Sequence, residues 1–101
     1  MMMAHDPGPA PAILATQTIE AVRVAIIQYI SAPSQSEDLR DALHRMAAEA
    51  REKTVLPEQL LVVLKDVWYA LPGVQAMSDT TEQVRLLQRV VTMCIREYYA
   101  D

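Results

Sequence analysis

His44, Cys94 and the arginines at 85, 89 and 96 are the side chains whose types and spacing suit them to chemistry. His44 stands in ALHRMAAEAR, one helical turn after Arg40 and just before the small residues Ala47 and Ala48. An imidazole exposed in mid-helix, with little bulk beside it and a cation within a turn, has the parts needed to exchange a phosphoryl group with an aspartate. Its plain reading is a surface histidine. Cys94 is a nucleophile only if a neighbour lowers its pKa, and no basic residue lies one turn away on its face. A thiol on an apolar seam is ordinarily an inert hydrophobe. Arg85, Arg89 and Arg96 share a helix face with Gln88 and Thr92. Such a stripe can grip an anion or an acidic partner. Its plain reading is a solvated face, partly paired with acids of a neighbouring helix.

Much chemistry is excluded by what is missing. There is no H-x-x-x-H, C-x-x-C or E-x-x-H to hold a metal, no G-x-S-x-G and no phosphate-cradling glycine loop. His5 and Asp6 read as solvated tail residues. No catalytic, cofactor-binding or metal-ligating residue is therefore assigned, no cofactor is expected, and the chain is read as non-enzymatic. The net charge of −4 sets the whole molecule against phosphate backbones, so nucleic acid is not an expected partner. One cysteine cannot form an internal disulfide and fits a reducing compartment. With no signal-peptide pattern at the start, the expected location is the cytoplasm.

The elements that position these residues are helices. Alanine, leucine, glutamate, glutamine and arginine are plentiful, glycine is scarce, and 51% of residues are hydrophobic, enough for one core. The stretch PEQLLVVLKDVWYALPG, Pro57 to Gly73, carries the only tryptophan. Leu60, Leu64, Val67 and Leu71 recur at bundle spacing, and Leu61, Val63 and Trp68 widen that seam. Lys65 and Asp66 break the run well short of the roughly 18 apolar residues a membrane span needs, so no membrane partner is expected. Leu60 to Leu64 alone would pass for a short buried strand, but the helical period continues to Leu71.

Three further helices are predicted. Ala12 to Ile30 has a seam of Ala15, Ile19, Val22, Ile26 and Tyr29. A second helix runs to Lys53, with Ser34 as N-cap, Glu37 completing a capping box, and a narrow stripe of Leu39, Leu43, Met46, Ala47 and Ala50. Its charges include the acid-first pairs Asp41–Arg45 and Glu49–Lys53. Either Thr54 or Leu56 caps the central helix. Pro72-Gly73 ends it, and Val74 to Asp79 has room for one helical turn, with Val74 and Met77 over the end of the core. Asp79 or Thr80 caps a last helix from Thr81 to Tyr99, whose seam is Val84, Leu87, Val91, Cys94 and Tyr98. Met1 to Pro11, with three prolines and a glycine, is predicted to be a disordered tail, leaving residues 12–101 as a single domain. The fold expected is all-α, an antiparallel four-helix bundle with up-down-up-down topology. A three-helix core with a docked first helix, and a helix-swapped dimer, are the alternatives.

Some apolar residues have no place in that seam pattern. Val24 and Ile27 fall on the polar face of the first helix, Val62 and Tyr69 on that of the central one, and Leu86, Met93 and Tyr99 off the seam of the last. Gathered on one side, they make an interface, and the first and central helices are the natural contributors. The function expected is a protein–protein interaction or dimerising module, its partner a second copy or another protein. One alternative is a phosphorelay module using His44. The His44 helix resembles a histidine phosphotransfer helix in gross layout, with Ala47-Ala48 where that pattern has Lys-Gly. Another is a small-ligand bundle with a pocket near Trp68 and Met77.

Overall fold

The apolar periods listed above become five helices and no strand among residues 14–100, which the computed structural model describes. The chain is all-α. The predicted tail, and Ala12 and Ile13 at the predicted start of the first helix, lie outside those residues. Helix α1 spans Thr16–Ser31, α2 Glu37–Glu52, α3 Pro57–Ala70, α4 Pro72–Gln75 and α5 Thr80–Tyr99. No helix among the described residues is long and apolar enough to cross a membrane.

The helix ends differ from the sequence expectation where a distant side chain replaces a local cap. Helix α1 is rich in β-branched residues and begins on Ala15, which has no side-chain acceptor of its own. Glu49, near the end of α2, supplies one: its carboxylate accepts from the Ala15 backbone N–H at 2.7 Å and from the Thr18 hydroxyl. Glu49 also takes the ammonium of Lys53, so that expected pair forms. Asp41–Arg45 forms no ion pair; both side chains line the furrow between α1 and α2. Helix α2 begins two residues later than expected, with Ser36 rather than Ser34 at the N-cap and no side-chain cap bond.

Thr54 caps nothing. It is the only non-glycine residue with positive φ among those described, at 59°, immediately after α2. The Val55 N–H bonds to Ala50 O at 2.8 Å and the Thr54 N–H to Arg51 O at 3.3 Å, the two bonds of a Schellman stop. Val55, the residue that motif turns inward, is buried. Leu56 is then the N-cap of α3. Its side chain cannot accept a hydrogen bond, but the Gln59 carboxamide accepts the Leu56 N–H at 2.9 Å, and Pro57 occupies the first turn, where its missing N–H costs nothing. Asp79 caps α5 as one of the two expected residues, its Oδ1 accepting from Thr81 and Glu82 N–H groups. The turn expected within Val74 to Asp79 starts earlier, at Pro72, as α4, so Pro72-Gly73 opens it; Val74 is buried and Met77 packs on the core as expected.

The long helices pack α1 on α2, α2 on α5, α5 on α3 and α3 on α1, with α4 against α3. Their buried side chains form one apolar cluster, and no polar or charged residue is buried among those described. The stripe predicted for α2 is buried in full, with Ala42 added. In α3, Leu60, Val63, Leu64 and Trp68 are buried, and Leu61 and Val67 are partly so. In α5 the seam is rotated. Leu86, Leu87, Val90 and Cys94 are buried, whereas Val84, placed in the seam on spacing, is 42% exposed. The reason is geometric: α5 touches α2 on one flank and α3 on the other, so its inward direction bisects the two contacts. A helical wheel shows the apolar arc but not where the neighbours stand. The end of α5 is fastened by three long-range hydrogen bonds. The Tyr98 hydroxyl donates to Val55 O at 2.8 Å, and the Arg51 guanidinium donates to Tyr98 O and Ala100 O at 2.8 and 2.7 Å.

Candidate functional site

Three furrows between helices carry the arginine stripe and several of the off-seam apolar residues singled out by sequence. The first lies between α2 and α5 and has a volume of about 500 Å³. The spacing of Arg85, Arg89 and Arg96 on α5 turns all three toward it, and Arg40 joins them from α2. Tyr29, Pro33 and Met93 supply apolar wall, and Ser36, Gln88 and Thr92 supply polar wall. No carboxylate lines it. The expected pairing of this stripe with acids of the second helix does not occur: Arg85 bonds Glu82 one turn before it on α5, and the guanidinium groups of Arg40, Arg89 and Arg96 have no ion pair or hydrogen bond among the described residues. Arg40 is the contribution that sequence reasoning missed, since it lies 45 positions before Arg85 and only packing of α2 on α5 unites them.

His44 sits one turn after Arg40 on α2, with its side chain 57% exposed. Its Nδ1 lies 2.9 Å from Glu97 Oε1 on α5. That contact fixes the ring and leaves Nε2 without a partner among the described residues. Cys94, one turn before Glu97, is buried, and burial pushes its thiol up to about 12, with the Glu97 charge adding to the shift. A thiol so far from ionising is no nucleophile at neutral pH.

The second furrow, about 400 Å³, runs between α3 and α5 and is lined by Lys65, Tyr69, Val84, Leu87, Val91 and the ridge residues Gln88 and Thr92. Val62, two turns before Tyr69, and Ile95, one turn after Val91, are exposed on the same two helices. Val84 and Ile95 were not anticipated as surface residues. Apolar residues fall on more than one face of α5, and assigning these two to the surface required knowing that α5 packs against α2 and α3. The third furrow, about 680 Å³, lies between α1 and α2. It is floored by Ala21, Ala25, Ala42 and Val24 and rimmed by Glu20, Asp38, Asp41 and Arg45.

The off-seam residues expected to form one patch are thus distributed. Val24 lines the α1–α2 furrow and Tyr69 the α3–α5 furrow, so α1 and α3 do not present them in a common depression. Ile27 and Val62 are exposed, as is Tyr99, whose ring meets that of Tyr98 edge-on at 5.2 Å. Leu86 is a correction: at 4% exposure it belongs to the core, because the inward direction of α5 passes close to it. Met93 is partly buried and shares the arginine-lined furrow. Trp68 is wholly buried and Met77 packs against the core; neither lines a furrow described above. Among the described residues no cluster of three or more histidine, cysteine or acidic side chains is placed to hold a metal ion. The chain matches no protein-family model, no curated protein and no solved structure.

Proposed function

We propose that this chain is a non-enzymatic helical module of the cytoplasm that works by binding protein, in the first instance a second copy of itself. The scaffold is read as an antiparallel four-helix bundle whose direction alternates up, down, up, down along the sequence. Three ties support that reading. Glu49 joins the end of α2 to the start of α1, Tyr69 near the end of α3 shares a furrow with Val84 near the start of α5, and Arg51 joins the ends of α2 and α5. In this arrangement α2 and α5 run side by side in one direction, and the short α2–α3 link crosses the bundle.

The observation that carries the interaction reading is the apolar strip of α3 and α5. Val62, Tyr69, Val84 and Ile95 are all left more than a third exposed, and Val91 lies between them. Covering the exposed half of each of the four side chains is worth about 1 kcal/mol. Their sum of about 4 kcal/mol corresponds on its own to a millimolar Kd, so a tighter dimer needs rim contacts over a buried area of about 1,000 Å² or more. Light scattering at low and high micromolar concentration tests it. A dimer that Tyr69→Glu or Val84→Glu splits into folded monomers supports the reading. A monomer at all concentrations sinks self-association and leaves the strip to a different protein.

A second reading rests on the geometry at His44. A carboxylate at Nδ1, exposure to solvent and an arginine one turn away are the features a phosphoryl-accepting Nε2 needs. Incubation with a small phosphoryl donor, followed by mass spectrometry at neutral and acid pH, tests it. An acid-labile phosphoform that disappears in His44→Gln supports the relay reading, and no phosphoform in the wild-type chain removes it.

A further inference from the structure

We propose that the furrow between α2 and α5 is a docking site for an acidic, amphipathic peptide segment of a partner protein. The site is separate from the α3–α5 strip, sharing with it only the ridge of Gln88 and Thr92, and it stands independently of self-association.

The argument begins with a charge imbalance. The chain is acidic, with 13 aspartates and glutamates against nine lysines and arginines. Four of its arginines nevertheless line one furrow that holds no carboxylate. Glu82, one turn before Arg85, pairs with that arginine, and Glu97, beside Arg96, faces His44; Glu37, Asp38 and Asp41, close to Arg40 along the chain, do not line the furrow. The side chains of Arg40, Arg89 and Arg96 are left without a partner among the described residues; those of Arg45 and Lys65 are too, but each stands singly in another furrow, and Arg23, Arg51 and Lys53 are engaged. Grouping unpaired like charges is unfavourable for the free protein, and an anionic ligand relieves it.

The shape and lining select among anions. Arg85 and Arg96 are eleven positions apart on one helix, about 16 Å along its axis. No glycine-rich loop or backbone cradle lies among them, so a single compact phosphate would meet one or two guanidiniums and leave the others idle. An elongated ligand with anionic groups at successive helical turns meets them in series. Pro33 and the partly exposed Met93 give the furrow an apolar wall, which an amphipathic peptide covers and a bare polyanion does not. Nucleic acid is disfavoured by the net charge of −4, and by Tyr29, the only aromatic in the lining, being buried where no base can stack on it. Exposed ion pairs are weak one at a time. The ligand must therefore engage several arginines together, which makes binding steeply dependent on salt.

The test uses the full chain and a fluorescein-labelled helical peptide of about 18 residues, with glutamates along one face and leucine and methionine along another. Binding is followed by anisotropy at low ionic strength. The expected result is saturable binding that weakens about tenfold or more in Arg89→Glu/Arg96→Glu and in Arg40→Gln, is unchanged in Arg23→Glu, and is lost when the peptide's glutamates become glutamines. A lysine version of the peptide should bind the doubly reversed variant better than the wild type. Far-UV circular dichroism verifies that the variants fold. The proposal is overturned by any of three results: no saturation up to about 1 mM, equal binding by the reversed variant or by the glutamine peptide, or tighter binding of inorganic phosphate or a mixed-sequence single-stranded oligonucleotide than of the acidic peptide.

Discussion

Trp68 offers the sharpest test of how the core is held. It is the largest fully buried side chain, and its indole N–H has no protein acceptor within hydrogen-bonding distance. Two opposing contributions follow. A buried indole removes about 150–250 Å² from water, worth about 4–6 kcal/mol at about 25 cal/mol per Å². An unsatisfied buried donor takes back about 1–3 kcal/mol. Trp68→Phe deletes the donor and keeps most of the ring. It forfeits about 1 kcal/mol of transfer energy and opens a void that costs about 1 kcal/mol more, while recovering the donor's penalty. The net cost should lie between about −1 and +1 kcal/mol. Trp68→Ala recovers the same penalty but leaves a large cavity, and should cost about 3–5 kcal/mol, a large share of the total stability of a domain this size. Urea unfolding followed by far-UV circular dichroism measures both, since the substitution removes the chain's only tryptophan. The slope of the transition should not change. If Trp68→Phe costs 3 kcal/mol or more, about as much as the alanine variant, the N–H makes a favourable bond in the folded protein and the reasoning is refuted.

Three other outcomes are expected. Burial pushes the Glu49 carboxyl up, but hydrogen bonds from Lys53, Thr18 and the Ala15 N–H prevail and hold it below its ordinary value of 4.5. A lowered pKa contributes stability above the unfolded value that is lost as pH falls through the folded one. Glu49→Gln should therefore cost about 1–3 kcal/mol near neutrality, and the deficit should shrink in denaturation curves taken below pH 4.5; an unchanged deficit at low pH rejects the mechanism. Thr54→Gly relieves a β-branched residue at φ 59° and should raise the thermal midpoint, by a stabilisation of about 0.5–1 kcal/mol; a lowered midpoint contradicts the assigned stop. Cys94, its thiol pushed up to about 12 and buried, should resist iodoacetamide in the native chain and react on unfolding in urea; rapid native alkylation places it at the surface instead.

Whatever depends on neighbours along the chain was legible in the amino-acid order alone. Apolar spacing at three and four residues located the long helices, because a helix repeats its faces with that period whatever packs against it. Asp79 could be read as a cap because the N–H groups it accepts from are only two and three residues away. The narrow stripe of α2 was legible because a charged surround leaves one inward direction. What the tertiary structure decided is what depends on which helices are neighbours. Glu49 caps α1 from 34 positions away, a bond that no local rule anticipates. Leu86 turned inward and Val84 outward because α5 leans on both α2 and α3. Arg40 joined Arg85, Arg89 and Arg96 only because α2 packs on α5. A helical wheel fixes the angle of each side chain about its own axis. The positions of the other axes, which decide whether that angle meets a core, a partner or water, come only from packing the helices together.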